Sequence, residues 1–386
     1  MTSPKPHAMM VDELHDEHAR MGFVSSFKGH LTNEVSGGSR FVYEGAVKPA
    51  AQRKLGREPT RHEIRHMIAE QPYYQMSSSL RRTSQEMIWD SAGECVERQW
   101  QELRLRADSI IARPKKKGSL RLHPDLDIPR YISAVDIHCM PGCYQREMGE
   151  NDVFAGAMYD RGVHMYRAKP GATLNDRNGR FMVSYLKDNF PNLKPRRILD
   201  MGCGVGASTV PYAETWPQAE VHAIDIGGAM VRYGHARAES IGVPLHFSQQ
   251  NAEATDFPDG HFDLIVSFLL LHETSNQALR RIFKESHRLL AKGGVMVHVD
   301  SLPYAELTPW DQFVPDWDTH YNAEPFMGTL HDLDLRRLAV EAGFRDKNVF
   351  EHRPRHPGQA PVITGTAHSN DGNVNGEHLH FGAVRE

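Results

Sequence analysis

Apolar positions follow two different rhythms along the chain. From Arg197 onward, short apolar runs alternate with amphipathic stretches, which predicts a parallel sheet covered by helices. The runs Arg197–Asp200, Glu220–Ile226, Leu245–Gln249, Phe262–Leu271 and Gly294–Val299 give five strands. Helices are expected from about Ala207 to Thr215, through Arg237, and over Asn276–Leu290. A further helix runs from near His331 to Gly343, and Val349–Arg353 and His378–Val384 close the sheet as a strand pair, making seven strands. Between those two strands, Pro354–Gly376 is rich in Pro, Gly, Asn and Ser and reads as a long exposed loop.

Upstream the rhythm is helical. Thr60-Arg-His-Glu63 has capping-box spacing, and Ile64, Met67 and Ile68 follow as one apolar stripe. A longer helical pattern covers Ser78–Ile111, carried by Leu80, Met87, Val96, Trp100 and Leu103, with a break expected at Gly93. Arg113-Pro-Lys-Lys-Lys-Gly118 marks a subdomain edge. Short β-like pieces such as Tyr131–Val135 lie within Leu120–Ile137, and Asn175–Phe190 is helical up to Pro191. Residues 1–20 are polar and expected to fray. The chain therefore divides into a mainly helical N-terminal region (1–150), connecting helices (151–195) and an α/β core (196–386) with an aromatic insertion at about 303–330.

Composition narrows the classes. A chain of 386 residues exceeds one domain of roughly 100–200 residues. With 40% hydrophobic and 24% charged residues it is globular rather than disordered. A net charge of −4 gives no support to a dedicated nucleic-acid or membrane-surface protein. No apolar run approaches the ~20 residues of a membrane helix, and Met1–Asp12 has no apolar signal region. Four cysteines (Cys95, Cys139, Cys143 and Cys203) fit a reducing compartment, so the cytoplasm is the expected location.

The first candidate chemistry is Asp200-Met-Gly202-Cys-Gly204-Val-Gly206, directly after one predicted strand and before a helix. Glycines there let the backbone turn tightly and let a ligand approach its amides, while the helix start offers free N–H donors. The spacing is G-x-G-x-G, not the dinucleotide G-x-G-x-x-G, and Ala207 stands where a third glycine would be wanted. Asp225 ends the second strand, with Ile226 beside it. Asn251-Ala252-Glu253, Phe257-Pro-Asp-Gly-His-Phe-Asp263 and Leu289-Leu-Ala-Lys-Gly-Gly294 follow in order.

Over Arg197–Asp300 these stretches resemble the class I S-adenosylmethionine (SAM) dependent methyltransferase family. The resemblance implies a Rossmann-like, seven-stranded SAM methyltransferase sheet with a mainly helical N-terminal domain. It implies SAM as cofactor, with Asp200, Gly202, Gly204 and Gly206 at the methionine moiety, Asp225 and Ile226 at the ribose, and Asn251 and Ala252 at the adenine. Asn251 departs from the family's commoner Asp, but its amide oxygen can accept the same hydrogen bond. Upstream segments in related small-molecule enzymes form a lid, which points to Tyr159 and Tyr166.

The acceptor should lie beyond the carboxyl ends of strands four and five. His272, with an ordinary pKa near ~6.5, suits a base, and Glu273 could orient it or bind a cationic acceptor; both are the expected catalytic residues. His298 and Asp300 share one strand face and, with Asp316, Asp318 and His320, could form a two-His-one-carboxylate site. A substrate-binding role for His298 and His320 is preferred, and no metal is expected. His138-Cys139-Met-Pro-Gly-Cys143 has half of a zinc pattern but no second Cys pair; its Pro-Gly turn could instead project His138 or Tyr144 into the acceptor pocket.

Methyl transfer to a small-molecule metabolite is thus the expected function, with the N-terminal region as lid and homodimer contact. A tRNA or DNA methyltransferase is the alternative, resting on Arg104, Arg106, Arg113, Lys115, Lys116, Lys117 and Arg121, but no base-flipping motif follows strand four. A SAM-binding enzyme of other chemistry, such as a cyclase, is the third.

Overall fold

The computed structural model describes residues 6–166, 174–353 and 378–386. Eight strands form one sheet: β1 (Ser119–Arg121), β2 (Arg197–Met201), β3 (Glu220–Asp225), β4 (His246–Gln249), β5 (Phe262–Phe268), β6 (Leu290–Asp300), β7 (Val349–His352) and β8 (Leu379–Val384). Their order is β1-β4-β3-β2-β5-β6-β8-β7. All neighbours are parallel up to β6, and β8 runs antiparallel to both β6 and β7. The expected seven strands are present, and the eighth is β1, a short N-terminal edge strand hydrogen-bonded to β4. Sequence order reverses on either side of β2, so the crevice at the carboxyl ends of β2 and β5 is a topological switch point, where ligands of such sheets bind.

Apolar runs explain the centre of the sheet. Ile198, Leu199, Val221, Ala223, Leu264, Ile265, Val266, Met296 and Val297 are fully buried. Both faces of a parallel sheet are covered, which is why these strands are continuously apolar rather than alternating. One face packs on the helices Asn276–Leu289 and Leu335–Glu341, the other on Arg177–Asn189 and Val210–Thr215.

Residues of the N-terminal region, Trp89 and Tyr131 among them, line the crevice. Thr60 caps the helix Arg61–Ile68 with the reciprocal Glu63 bond that its spacing predicts. Helices Pro72–Glu97 and Trp100–Ile111 separate at Arg98-Gln99, not at Gly93, which stays inside the first helix. Gln99 is held there by its side chain, whose Nε2 donates to the Asp12 carbonyl. Tyr131–Val135 is not a strand: Arg130–Ser133 is a helical turn started by Pro129. Residues 6–20 do not fray, because Met9 and Val11 are buried in the helical core and a helix begins at His15. The loop expected at 354–376 lies outside the described residues.

The insertion forms the helix Pro309–Tyr321, whose Trp310, Phe313 and Trp317 pack on Tyr43, Ile64, Ile68 and Tyr74. Its aromatic residues therefore join core to N-terminal helices and do not wall the cavity. Among the described residues no helix is long and apolar enough to cross a membrane.

Candidate functional site

One cavity of about 820 Å³ lies over the carboxyl ends of β2, β3 and β5, lined also by residues from the helix Phe154–Tyr166 and the segment 131–144. It has two chemically distinct ends.

The first end is mostly backbone. Gly202, Gly204 and Gly206 have φ of +67°, +54° and +72°, a region that costs other residues about 1–2 kcal/mol. Gly202 and Gly204 line the cavity, whereas Gly206 does not. A Cβ on Gly206 would come within 2.6 Å of Phe247, so its role is packing against the sheet. Asp225 is fixed at the end of β3: its Oδ2 accepts from the Gly204 N–H at 2.8 Å and its Oδ1 from the Gly227 N–H at 3.0 Å. Burial raises its pKa against the pull of those donors. Asp200 is buried too and pushed up to about 7 by burial, with Thr209 Oγ1 donating to it at 2.5 Å. Ile226, Asn251 and Ala252 line the same end with Gln250. Asn251 Oδ1 already accepts from the Glu253 N–H at 2.9 Å, leaving one lone pair for a ligand.

At the second end the site is built from side chains. Glu273, 8% exposed, stands at its centre. Its Oε1 accepts from His138 Nε2 at 2.9 Å and from Tyr144 Oη at 2.9 Å, with His272 Nε2 at 3.5 Å. Its Oε2 is buried without a hydrogen-bond partner among the described residues. Each imidazole is gripped from behind. His272 Nδ1 donates to Asp300 Oδ1 at 2.7 Å, and His138 Nδ1 lies 3.0 Å from Glu324 Oε1. Asp300 is itself fixed by the N–H groups of Leu271 and Ser301.

Charge follows from this arrangement. Burial opposes a charge on His138, but Glu324 and Glu273 overcome it and push its pKa up to about 10. Burial opposes a charge on His272 as well, and Asp300 raises it well above its ordinary value. Glu273 is held below the carboxylate range, because His138 and His272 outweigh its burial. Tyr144 is pushed well up, first by burial and then by Glu273.

His138 reaches the cavity through strained backbone. His138 and Cys139 have φ of 58° and 60°, and Leu269, at the end of β5, also has 60°. Such conformations cost about 1–3 kcal/mol and persist only when the surroundings enforce them. Here Gln85 Nε2 and Trp89 Nε1 both donate to the His138 carbonyl, at 2.8 and 2.6 Å. The N-terminal helix Pro72–Glu97 thus aims a side chain into the core's cavity.

Other expected residues fall elsewhere. Tyr159 lines the cavity, edge-on to Tyr144, whereas the side chain of Tyr166 lies outside the described residues. His298 is not at the cavity: it is fully buried beneath the helix Asn276–Leu289, stacked on Phe283, with Nδ1 and Ser267 Oγ 2.7 Å apart. His320 is exposed on the insertion helix, away from the cavity lining. Asp316 pairs with Arg61 and Asp318 with Arg81, so neither joins His298 or Asp300. Cys139 and Cys143 are buried free thiols, pushed by burial up to about 11 and about 12. In the basic segment, Arg121 is neutralised by Asp256. Glu324 and Asn322 escaped sequence reasoning. Their only local signal is Asn322-Ala-Glu324 closing the insertion helix, and nothing in it points to His138, 184 residues before Asn322.

The cavity's first end fits SAM. Asp225 offers a buried carboxylate, Gly204 leaves open the space where a Cβ would stand at the cavity rim, and Asp200 and Asp225 give acidic surroundings suited to a sulfonium and an ammonium group. Residues 198–294 match the family described as "Methyltransferase domain". This segment is a methyltransferase domain of the class I SAM-dependent family, and SAM is its cofactor. The chain is 37% identical to the ubiquinone/menaquinone biosynthesis C-methyltransferase UbiE of Pasteurella multocida, over 41% of this chain and 65% of that one. It is 26% identical to the ajmaline N-methyltransferase of Rauvolfia serpentina, over 43% and 63% respectively. The matches thus span less than two thirds of these relatives. Among solved structures, magnesium protoporphyrin IX methyltransferase from Synechocystis PCC 6803 aligns with a TM-score of 0.36 at 16% identity, over 59% of this chain and 83% of that one.

Proposed function

We propose that this protein is an enzyme that methylates a small-molecule acceptor, with Asp225, Gly202, Gly204, Ile226, Asn251 and Ala252 holding SAM and with His272 and Glu273 acting at the acceptor. The observation that carries this reading is the continuity of one cavity from the glycine loop to Glu273. SAM supplies an electrophilic methyl group on a sulfonium, and the protein's task is to align a nucleophile with it and keep water away. A cavity of about 820 Å³ suits the cofactor with a compact acceptor, not a nucleic-acid strand.

Each residue's part follows from its position. Glu273 presents its unengaged oxygen to an O–H or N–H of the acceptor, and so orients the nucleophile and takes up its proton. His272, fixed by Asp300, and His138 hold that carboxylate in place. Tyr159 and the segment around Tyr144 cover the site as a lid, with residues 1–150 as the covering unit and 196–386 as the catalytic one. The relatives named above are a ubiquinone/menaquinone biosynthesis C-methyltransferase and an ajmaline N-methyltransferase, and a small acceptor is compatible with the largely apolar lining. The test is S-adenosylhomocysteine formation, followed by chromatography, with a panel of phenolic, quinol and amine acceptors. Release with a small acceptor supports the reading; release only with tRNA or DNA would overturn it.

A further inference from the structure

Among the described residues, His138, His272 and Glu273 are the group whose ligand atoms approach closely enough to share one ion, all lying within 4.8 Å of one another. We infer that these three side chains form a binding site for a divalent first-row transition-metal ion at the acceptor end of the cavity. This deepens the proposed function and rests on it for the ion's purpose: when bound, the ion would take the place at Glu273 that the acceptor's O–H or N–H is given above, and would hold the acceptor itself.

Several independent features converge. Both Nε2 atoms point at the same carboxylate while both Nδ1 atoms are turned toward other buried carboxylates, Asp300 at 2.7 Å and Glu324 at 3.0 Å. A carboxylate behind each imidazole is the arrangement that fixes tautomer and ring orientation in metal-binding histidines, leaving the Nε2 lone pair for the ion. Glu273 supplies a buried oxygen, Oε2, with no partner among the described residues, an arrangement that costs free energy unless something else fills the role. Three carboxylates, Glu273, Glu324 and Asp300, surround two imidazoles, so the cluster has the charge to hold a dication. Two imidazoles and one carboxylate favour Zn, Mn, Fe, Co or Ni over Ca or Mg, which prefer all-oxygen shells. The ligands come from two distant segments, so the ion would also tie the N-terminal region to the core.

Purified full-length protein, stripped with chelator, is titrated with Zn²⁺ by calorimetry and with Co²⁺ by visible absorbance. One equivalent of saturable binding is expected, with a Co²⁺ ligand-field band. His138→Ala and Glu273→Gln should each weaken binding at least tenfold, and Asp300→Asn should weaken it less. A second histidine group, His222 with His246 and His261, lies far along the sheet and serves as the control. His246→Ala should leave the affinity unchanged. No saturable binding, or binding lost in His246→Ala and kept in His138→Ala, would overturn the inference. Each variant is also titrated with S-adenosylhomocysteine. Retained cofactor affinity certifies the fold and means that a failed metal titration sinks the metal site alone. Loss of cofactor binding in the wild-type protein would instead sink the proposed function.

Discussion

The two ends of the cavity are made in opposite ways. The proposed cofactor end comes from about 55 consecutive residues, between Ile198 and Ala252, and its groups are backbone amides, the Asn251 amide and two carboxylates, Asp200 and Asp225, at strand ends. The acceptor end assembles His138, Tyr144, His272, Asp300 and Glu324 around Glu273, drawn from four segments spread over nearly 190 residues. Local geometry suffices for the first, because a strand, a glycine turn and a helix bring their own N–H donors wherever they occur. Tertiary packing is needed for the second. The same sheet therefore can keep one cofactor while its acceptor changes.

That difference can be broken by substitution. The largest effect is expected at the acceptor end: Glu273→Gln should lower kcat by roughly 100- to 1000-fold, the usual size of a lost proton acceptor, in initial-rate assays of S-adenosylhomocysteine release. If turnover fell less than tenfold, Glu273 would be a structural anchor only. Gly206→Ala should destabilise the protein by about 2–4 kcal/mol in urea unfolding, from positive-φ strain and the overlap with Phe247. Gly204→Ala meets nothing closer than Tyr159 at 3.6 Å, so it should cost only about 1–2 kcal/mol of stability but weaken cofactor binding about tenfold. Equal stability losses for the two glycines would erase the distinction between packing and cradle. Smallest is His320→Ala, an exposed position where stability should change by less than about 0.5 kcal/mol and turnover not at all.

The sequence announces these parts unequally, for physical reasons. Apolar strands and the glycine turn are legible because their cause is local: burial on both faces, positive φ, a helix start. The placement of His272 and Glu273 at the cavity is legible from their position just after β5. The role of His298 is misread because strand periodicity puts it on one face with Asp300 without saying which residue reaches past the strand end. Asp300 does, bonding the Leu271 and His272 amides, whereas His298 sits two residues back under Phe283. Capping chemistry locates the helix at Arg61, but Gly93 fails as a break because the interrupting interaction is the long-range bond from Gln99 to Asp12. Tyr131–Val135 fails likewise, since a Pro129-initiated turn outweighs β-branched composition. Glu324 is invisible in sequence because its partner, His138, is held in place by Gln85 and Trp89.

The most direct test is S-adenosylhomocysteine calorimetry on Asp225→Ala beside Glu273→Gln, with circular dichroism to verify folding. Removing the buried Asp225 carboxylate should cut affinity by at least about 100-fold, roughly 3 kcal/mol, while Glu273→Gln stays within about threefold of the wild-type protein. Unchanged affinity in a folded Asp225→Ala protein would contradict the division of the cavity into a cofactor end and an acceptor end.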